Sequence, residues 1–322
     1  MKVFARALAL VLVGSAAVPA AALASPAGYG PWSDAIRVES IPGTHQDFNG
    51  ATLDGCPFIS RDGKTFFMAS RRLTGPDDAK GDINIWASTR SGADAPWDAP
   101  QLVGEPVSVD TTSAAAPEVN DFCPTLGRDG HEFYFVSNRS GGCGGDDIYR
   151  TRARPNGWDP VENLGCDVNT SANEASPFPH PQSTTGPVLY FSSTVTGAGD
   201  LYLSEWQGGA FQGRTLVPGV NTASTEGHPN VRRDGLELFF FSNRPGSLGA
   251  DIYSASRTST AVPWSDPVNL GPAVNGVTAS AETRPSLSWD GTTLYFGSNR
   301  AGGEGDADHY VSTREKLNGS DH

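Results

Sequence analysis

One segment recurs five times, and this recurrence constrains the possible fold more than any bulk property of the chain. The copies read "DGCPFISRDGKTFFMASRR", "DFCPTLGRDGHEFYFVSNR", "EASPFPHPQSTTGPVLYFSST", "EGHPNVRRDGLELFFFSNR" and "ETRPSLSWDGTTLYFGSNR". Their anchor prolines are Pro57, Pro124, Pro177, Pro229 and Pro285, at spacings of 67, 53, 52 and 56 residues. Each copy runs on into an Asp or Asn, an apolar residue or His, and an aromatic: "NIW" at 84, "DIY" at 147, "DLY" at 200, "DIY" at 251 and "DHY" at 308. A period of this size marks a repeated supersecondary unit that must stack on its neighbours to bury a core.

Each unit reads as strands. A short run after the proline ends, in four copies, at an Asp-Gly, a strong hairpin signal. An aromatic strand follows ("TFFMAS", "EFYFVS", "VLYFSS", "ELFFFS", "TLYFGS"), then a Gly-rich loop and a third strand that begins at the Asp or Asn. A fourth is expected near a Trp or Phe, in "PWDAPQLV", "GWDPVENL", "GAFQGRTLV" and "PWSDPVNL". Four antiparallel strands repeated radially make a β-propeller blade. The fifth copy ends without its fourth strand, and "GPWSDAIRVESI" at 30–41 matches "VPWSDPVNLGPA" at 262–273. The expected fold is therefore all-β, a five-bladed propeller of four-stranded antiparallel blades. Residues 31–38 complete the last blade and remove two exposed sheet edges.

The "RDG", "FVSNR", "GG" and "DIY" elements, clearest in the second and fourth copies, resemble the WD-repeat-like PD propeller repeats, a family that includes the propeller of TolB. The resemblance spans nearly all of the chain after its first residues. It implies the fold and leaves function open, because such propellers serve as binding platforms, accessory modules and sometimes enzyme scaffolds.

Residues 1–24, "MKVFARALALVLVGSAAVPAAALA", combine Lys2 and Arg6 with an apolar run and a small-residue end. They read as a secretory signal, followed by one propeller over 25–316 and a disordered tail over 317–322. The location expected is extracellular or periplasmic, with no membrane span and a monomeric state. The formal charge is −13, and removing Lys2 and Arg6 takes it to −15. Such an acidic chain is repelled by phosphate backbones, which argues against a nucleic-acid partner. Four cysteines in an exported chain without CxxC are read as two disulfides, Cys56–Cys123 and Cys143–Cys166. The first pair holds equivalent positions in adjacent units; the second lies within one unit.

An acid sits three residues before each anchor proline: Asp54, Asp121, Glu174, Glu226 and Glu282. Placed at the start of the innermost strands, the five would ring one mouth of the axial channel. Uncompensated, they would raise one another's pKa, so partners are expected, and Arg72, Arg139, Arg244 and Arg300 supply them in four units. A charge pair repeated in each blade reads as a structural staple. The third unit breaks the pattern, with Val195 in place of the arginine and "HPQSTTG" in place of the Asp-Gly turn. Glu174 is thus expected to be free. Just before the prolines stand Cys56, Cys123, Ser176, His228 and Arg284, and His228 and Arg284 are read as joining Glu174 in a ligand site suited to a polar ligand such as a sugar acid.

No HExxH, GxSxG, Walker or EF-hand spacing is present, so no cofactor is expected and no metal set is assigned. The leading functional reading is a secreted binding module for a carbohydrate (glycan), a cell-envelope component or an exported protein. The alternative is a carbohydrate-active enzyme, a glycoside hydrolase or lyase, using Glu174, Glu226 and Glu282. Recurrence of the acids in every blade weighs against it, because catalysis calls for an acid and a base in different environments.

Overall fold

The computed structural model describes residues 28–74, 81–109, 117–181 and 186–317. The expected signal at 1–24 lies outside them, as does the tail from 318 on; Leu317 is described, and its amide donates to the Gly28 carbonyl at 2.9 Å.

The described residues form five antiparallel sheets in a ring. The inner strands are Asp54–Ile59, Asp121–Leu126, Glu174–His180, Glu226–Val231 and Glu282–Leu287. Second strands follow at Thr65–Ser70, Glu132–Ser137, Val188–Ser193, Glu237–Ser242 and Thr293–Ser298, and third strands at Asn84–Thr89, Asp147–Arg154, Asp200–Gln207, Asp251–Ser256 and Asp308–Thr313. Ile36–Arg37 completes the fifth sheet, pairing Ile36 with Val311 and Arg37 with Tyr310. The ring is closed by the segment that precedes the first blade, as the matched sequences require.

Second strands are buried on both faces; Phe133, Tyr134, Phe135 and Val136 are all wholly enclosed. Blades pack face to face, so alternate side chains enter two different cores, and the strand reads as a continuous aromatic run rather than an alternation. The cores lie between blades. Phe67 and Ile85 of the first meet Phe133, Phe135 and Tyr149 of the second, and Phe66, Met68 and Trp86 of the first meet Tyr295 and Val311 of the fifth. Truncating one of these aromatics costs about 3–5 kcal/mol, through lost transfer energy and the cavity left behind.

The fourth strands are shorter than the sequence suggested. Gln101–Leu102, Glu162–Asn163, Val268–Asn269 and Ile36–Arg37 span two residues each, whereas Ala210–Leu216 spans seven. Pro100 and Pro267 directly precede two of the short strands and Pro160 stands two residues before a third, and none has an N–H to give the ladder. The third blade has no proline there. In the closing strand the Ala35 amide is drawn away to the Ala273 carbonyl, at 2.9 Å.

Near the start of each third strand a side chain from the connection to the next blade takes a backbone N–H, in the long-stranded third blade as in the others. Asn169 accepts from Ile148 N at 2.8 Å and donates to Ile148 O at 3.1 Å. Asn221 does the same for Leu201, and Asn275 for Ile252. Asn49 serves His309 N, and Ser108 serves Ile85 N. Sequence reading missed these residues, although an Asn five residues before the acid in "VNTSANE" and "VNTASTE" marks two of them.

Candidate functional site

The anchor prolines sit in β-bulges. In each blade the residue before the proline and the proline itself fall out of the inner-strand register, as between Gly55 and Phe58, Phe122 and Thr125, and Gly227 and Asn230. A bulge suits a proline because its missing N–H is not needed there. The preceding residue takes a left-handed backbone: φ is 50° at Cys56 and Cys123, 57° at Ser176, and 59° at His228 and Arg284. These are the five described non-glycine residues with positive φ. Each costs about 1–3 kcal/mol, and strain of this kind accumulates where a side chain must be aimed.

The five side chains are aimed at the axis. Cys56 and Cys123 form a disulfide between the first and second blades. Ser176 Oγ approaches Cys123 Sγ at 3.9 Å and shares a hydrogen with His228 Nδ1 at 2.6 Å. Arg284 reaches the first blade, where a Cβ on Gly55 would lie 3.3 Å from its Nη1, so a side chain at 55 would crowd the guanidinium. Contacts run from the first blade to the fourth, the Arg284 charge acts on His228, and Arg284 lies beside Gly55, so residues of all five blades converge on the channel axis. Burial and the neighbouring Arg284 charge hold His228 well below the ordinary imidazole value, so it is neutral. Burial also lowers the Arg284 pKa. Among the described residues no carboxylate lies within ion-pair distance of Arg284; its hydrogen bond goes to Thr283 Oγ1 at 3.4 Å.

His228 and Arg284 lie near each other at the axis with Ser176 and the disulfide, whereas the Glu174 carboxylate is turned to Thr170 and Ser193. All five acids open the inner strands, yet all are wholly enclosed instead of ringing an open mouth. Arg72 pairs with Asp54 and Arg139 with Asp121, each at 2.7 Å; Arg244 reaches Glu226 at 3.1 Å and Arg300 reaches Glu282 at 3.2 Å. The arginines also cap carbonyls of the preceding connection, including Phe48 O, Val107 O, Val220 O and Val274 O. The pairs thus tie successive blades together. Burial raises the pKa of Asp121 and of Glu282 against these partners.

Val195 does leave Glu174 without an arginine, and the chain supplies hydroxyls instead. Thr170 N, Thr170 Oγ1 and Ser193 Oγ donate to its carboxylate at 2.5, 2.8 and 2.5 Å. Arg214, on the long fourth strand, takes over the cap and donates to Cys166 O and Asp167 O at 3.1 Å. The aspartates that open third strands bind the loops before them: Asp308 accepts from Glu304 N at 2.7 Å and Asp251 from Leu248 N at 3.3 Å. The second disulfide joins Cys143 to Cys166.

The open cavity lies at the other end of the inner strands, where they turn into the second strands. Residues from all five blades line it, two or more from each. Its walls are Phe58, Leu126, Phe178, Val231 and Leu287, and its rim carries Arg61, Arg128, Arg233 and Trp289. A smaller space lined by the anchor prolines lies between this funnel and His228. The rim residues occupy one position, directly before the Asp of the Asp-Gly turn in four blades. Three of the four turns carry an arginine there, a repetition legible in the sequence beside the turn signal itself.

No family model matches the chain, and no curated protein matches it. Solved structures do. An endo-arabinase from Bacteroides thetaiotaomicron superposes with a TM-score of 0.53 at 14% identity, covering 84% of this chain and 98% of that one. A GH43 endo-arabinanase from Bacillus licheniformis gives 0.53 at 15% identity, over 82% and 94%. TolB from Acinetobacter baumannii gives 0.47 at 13% identity; this chain spans about half of its length, 55%, and 82% of this chain is covered. At these identities the likeness concerns the propeller fold alone.

Proposed function

We propose that the protein is an exported binding module that takes its ligand, a glycan or a segment of an envelope component or exported protein, into the funnel at the axis. The observation that carries this reading is the lining of the funnel: apolar walls, an aromatic ring and convergent guanidinium groups, with no carboxylate among its described lining residues. Glycoside hydrolysis of the common kind needs two carboxyl groups flanking the scissile bond. The inner-strand acids are enclosed and engaged by amides, hydroxyls or arginines, and they stand at the far end of the strands from the funnel. His228 and Arg284 lie at the base of the channel, where they can meet a group that reaches past the prolines.

The enzyme reading retains one support, the shared fold with an arabinase and an arabinanase. A glycan array run beside a polysaccharide-hydrolysis screen separates the two readings. Binding without release of reducing ends is expected, and Trp289→Ala should weaken it. Release of reducing ends that survives Trp289→Ala would overturn the binding reading. Two disulfides suit an oxidising compartment, and export itself is tested by following the full chain into the periplasmic and medium fractions of an expressing cell.

A further inference from the structure

Three guanidinium groups face the funnel with no internal counter-charge. Arg61, Arg128 and Arg233 are exposed, and none pairs with a carboxylate among the described residues. Their neighbouring aspartates are taken by other groups: Asp62 accepts from Ser60 Oγ at 2.6 Å, Asp129 pairs with Arg152 at 2.7 Å, and Asp234 pairs with Arg232 at 2.9 Å. On a chain of formal charge −13, a cationic rim around an apolar bowl runs against the mean field. The repeat provides the spacing, because each arginine occupies the same turn position on a different blade.

The rim also has a platform. The Arg61 guanidinium lies 4.4 Å from the centroid of the Trp289 ring. This stacking orients the planar fork and lowers the entropy lost when it binds a planar anion. Deeper on the same axis Arg284 is likewise without a carboxylate. Guanidinium forks match carboxylates in bidentate geometry, while Trp289, Phe58 and Phe178 offer apolar surface to the C–H face of a ring.

From these features we propose that the funnel selects an acidic glycan, with uronate carboxylates held by Arg61, Arg128 and Arg233 and a sugar ring seated on the apolar wall. The proposal rests on the binding-module reading and narrows its ligand class. An acidic peptide satisfies the arginines but makes less use of the apolar wall and the Trp289 platform, so it is the competing outcome.

The test is calorimetric titration of the mature protein with trimers of galacturonate and of mannuronate, their methyl esters, a neutral arabinan trimer and oligoglutamate. Esterification removes the charge and keeps the ring. At least one free uronate should bind. Its methyl ester should bind at least tenfold more weakly, and Arg61→Gln, Arg128→Gln and Arg233→Gln should each cost roughly tenfold, as expected for a charge-assisted hydrogen bond. Raising the salt from low to physiological strength should also weaken it. These arginines are exposed, so a matching melting temperature for each variant excludes misfolding. Equal binding of acid and ester, or full affinity in the triple Gln variant, would overturn the proposal, as would arginine-dependent binding of oligoglutamate alone. If the neutral trimer binds through Trp289 and the uronates do not, the uronate proposal fails and the binding reading stands. If no glycan or peptide binds, both fail.

Discussion

The closing segment is latched by a buried charge cluster whose removal should unfasten the ring. Arg314, at the end of the last third strand, donates from Nη1 and Nη2 to Glu237 at 2.9 and 2.7 Å. Arg232 Nη1 donates to the same carboxylate at 2.8 Å. The side chains of Arg314 and Glu237 are 1% and 2% exposed. Tyr29 and Trp32 from the N-terminal segment cover the Arg314 guanidinium at 4.1 and 4.4 Å. Glu237→Gln keeps the shape but leaves Arg314 buried beside a neutral amide. Removing one partner of a buried pair costs about 3–5 kcal/mol, chiefly as the desolvation of the charge left behind. Unfolding entropy of about 2.1 cal/mol/K per residue amounts to roughly 0.6 kcal/mol/K for a unit of this length, so the melting temperature should fall by about 5–8 °C. Calorimetry and urea unfolding measure this directly, and proteolysis near Tyr29 should quicken in parallel. Replacing Glu237 and Arg314 together by Leu and Met should recover part of the loss, because Arg232 keeps Asp234. The exposed pair Arg154–Asp159 is the control and should show no measurable change when broken. A Glu237→Gln shift no larger than that control would refute the latch.

The blade staples should rank by charge: Asp121→Asn leaves Arg139 without its partner and should cost about 2–4 kcal/mol, whereas Glu174→Gln keeps hydroxyl partners and should cost about 1–2 kcal/mol, both read by urea unfolding. Burial holds the imidazoles of His180 and His309 down to about 4, against about 6.5 unfolded. The unfolded chain binds more protons between these values, so this stability is complete above about pH 6.5 and is lost as pH falls towards 4, by roughly 3 kcal/mol for each ring. Asp121 and Glu282, with raised pKa values, act in the opposite direction, so the test is that His309→Phe flattens the melting-temperature profile between pH 6.5 and 4. In the chain-entropy account, loops of 67 and 23 residues make the Cys56–Cys123 bridge worth about 4 kcal/mol and Cys143–Cys166 about 3 kcal/mol, so paired Ser substitutions should lower the urea midpoint in that order. Deleting residues 28–37 should expose the Asp308–Thr313 edge and give concentration-dependent aggregation by light scattering.

Features that repeat, or that lie close along the chain, are legible in the residue pattern alone. Five spaced prolines and five aromatic runs specified five blades. The match between residues 30–41 and 262–273 specified the closure, and the acid eighteen residues before each arginine specified the staples. Equivalent cysteine positions in successive units specified the inter-blade disulfide. What each position faces follows from the packing of whole blades. Glu174 has the local signature of a free carboxylate, yet Thr170 and Ser193 enclose it. Arg61, Arg128 and Arg233 look like ordinary turn residues until three hairpins from different blades meet around one axis. The Arg314–Glu237 latch joins positions 77 residues apart with no motif between them. Local sequence specifies backbone conformation through sterics and hydrogen bonding, while the convergence of distant side chains depends on the angle and radius at which whole blades pack, and that geometry is set only when all five cores are buried together.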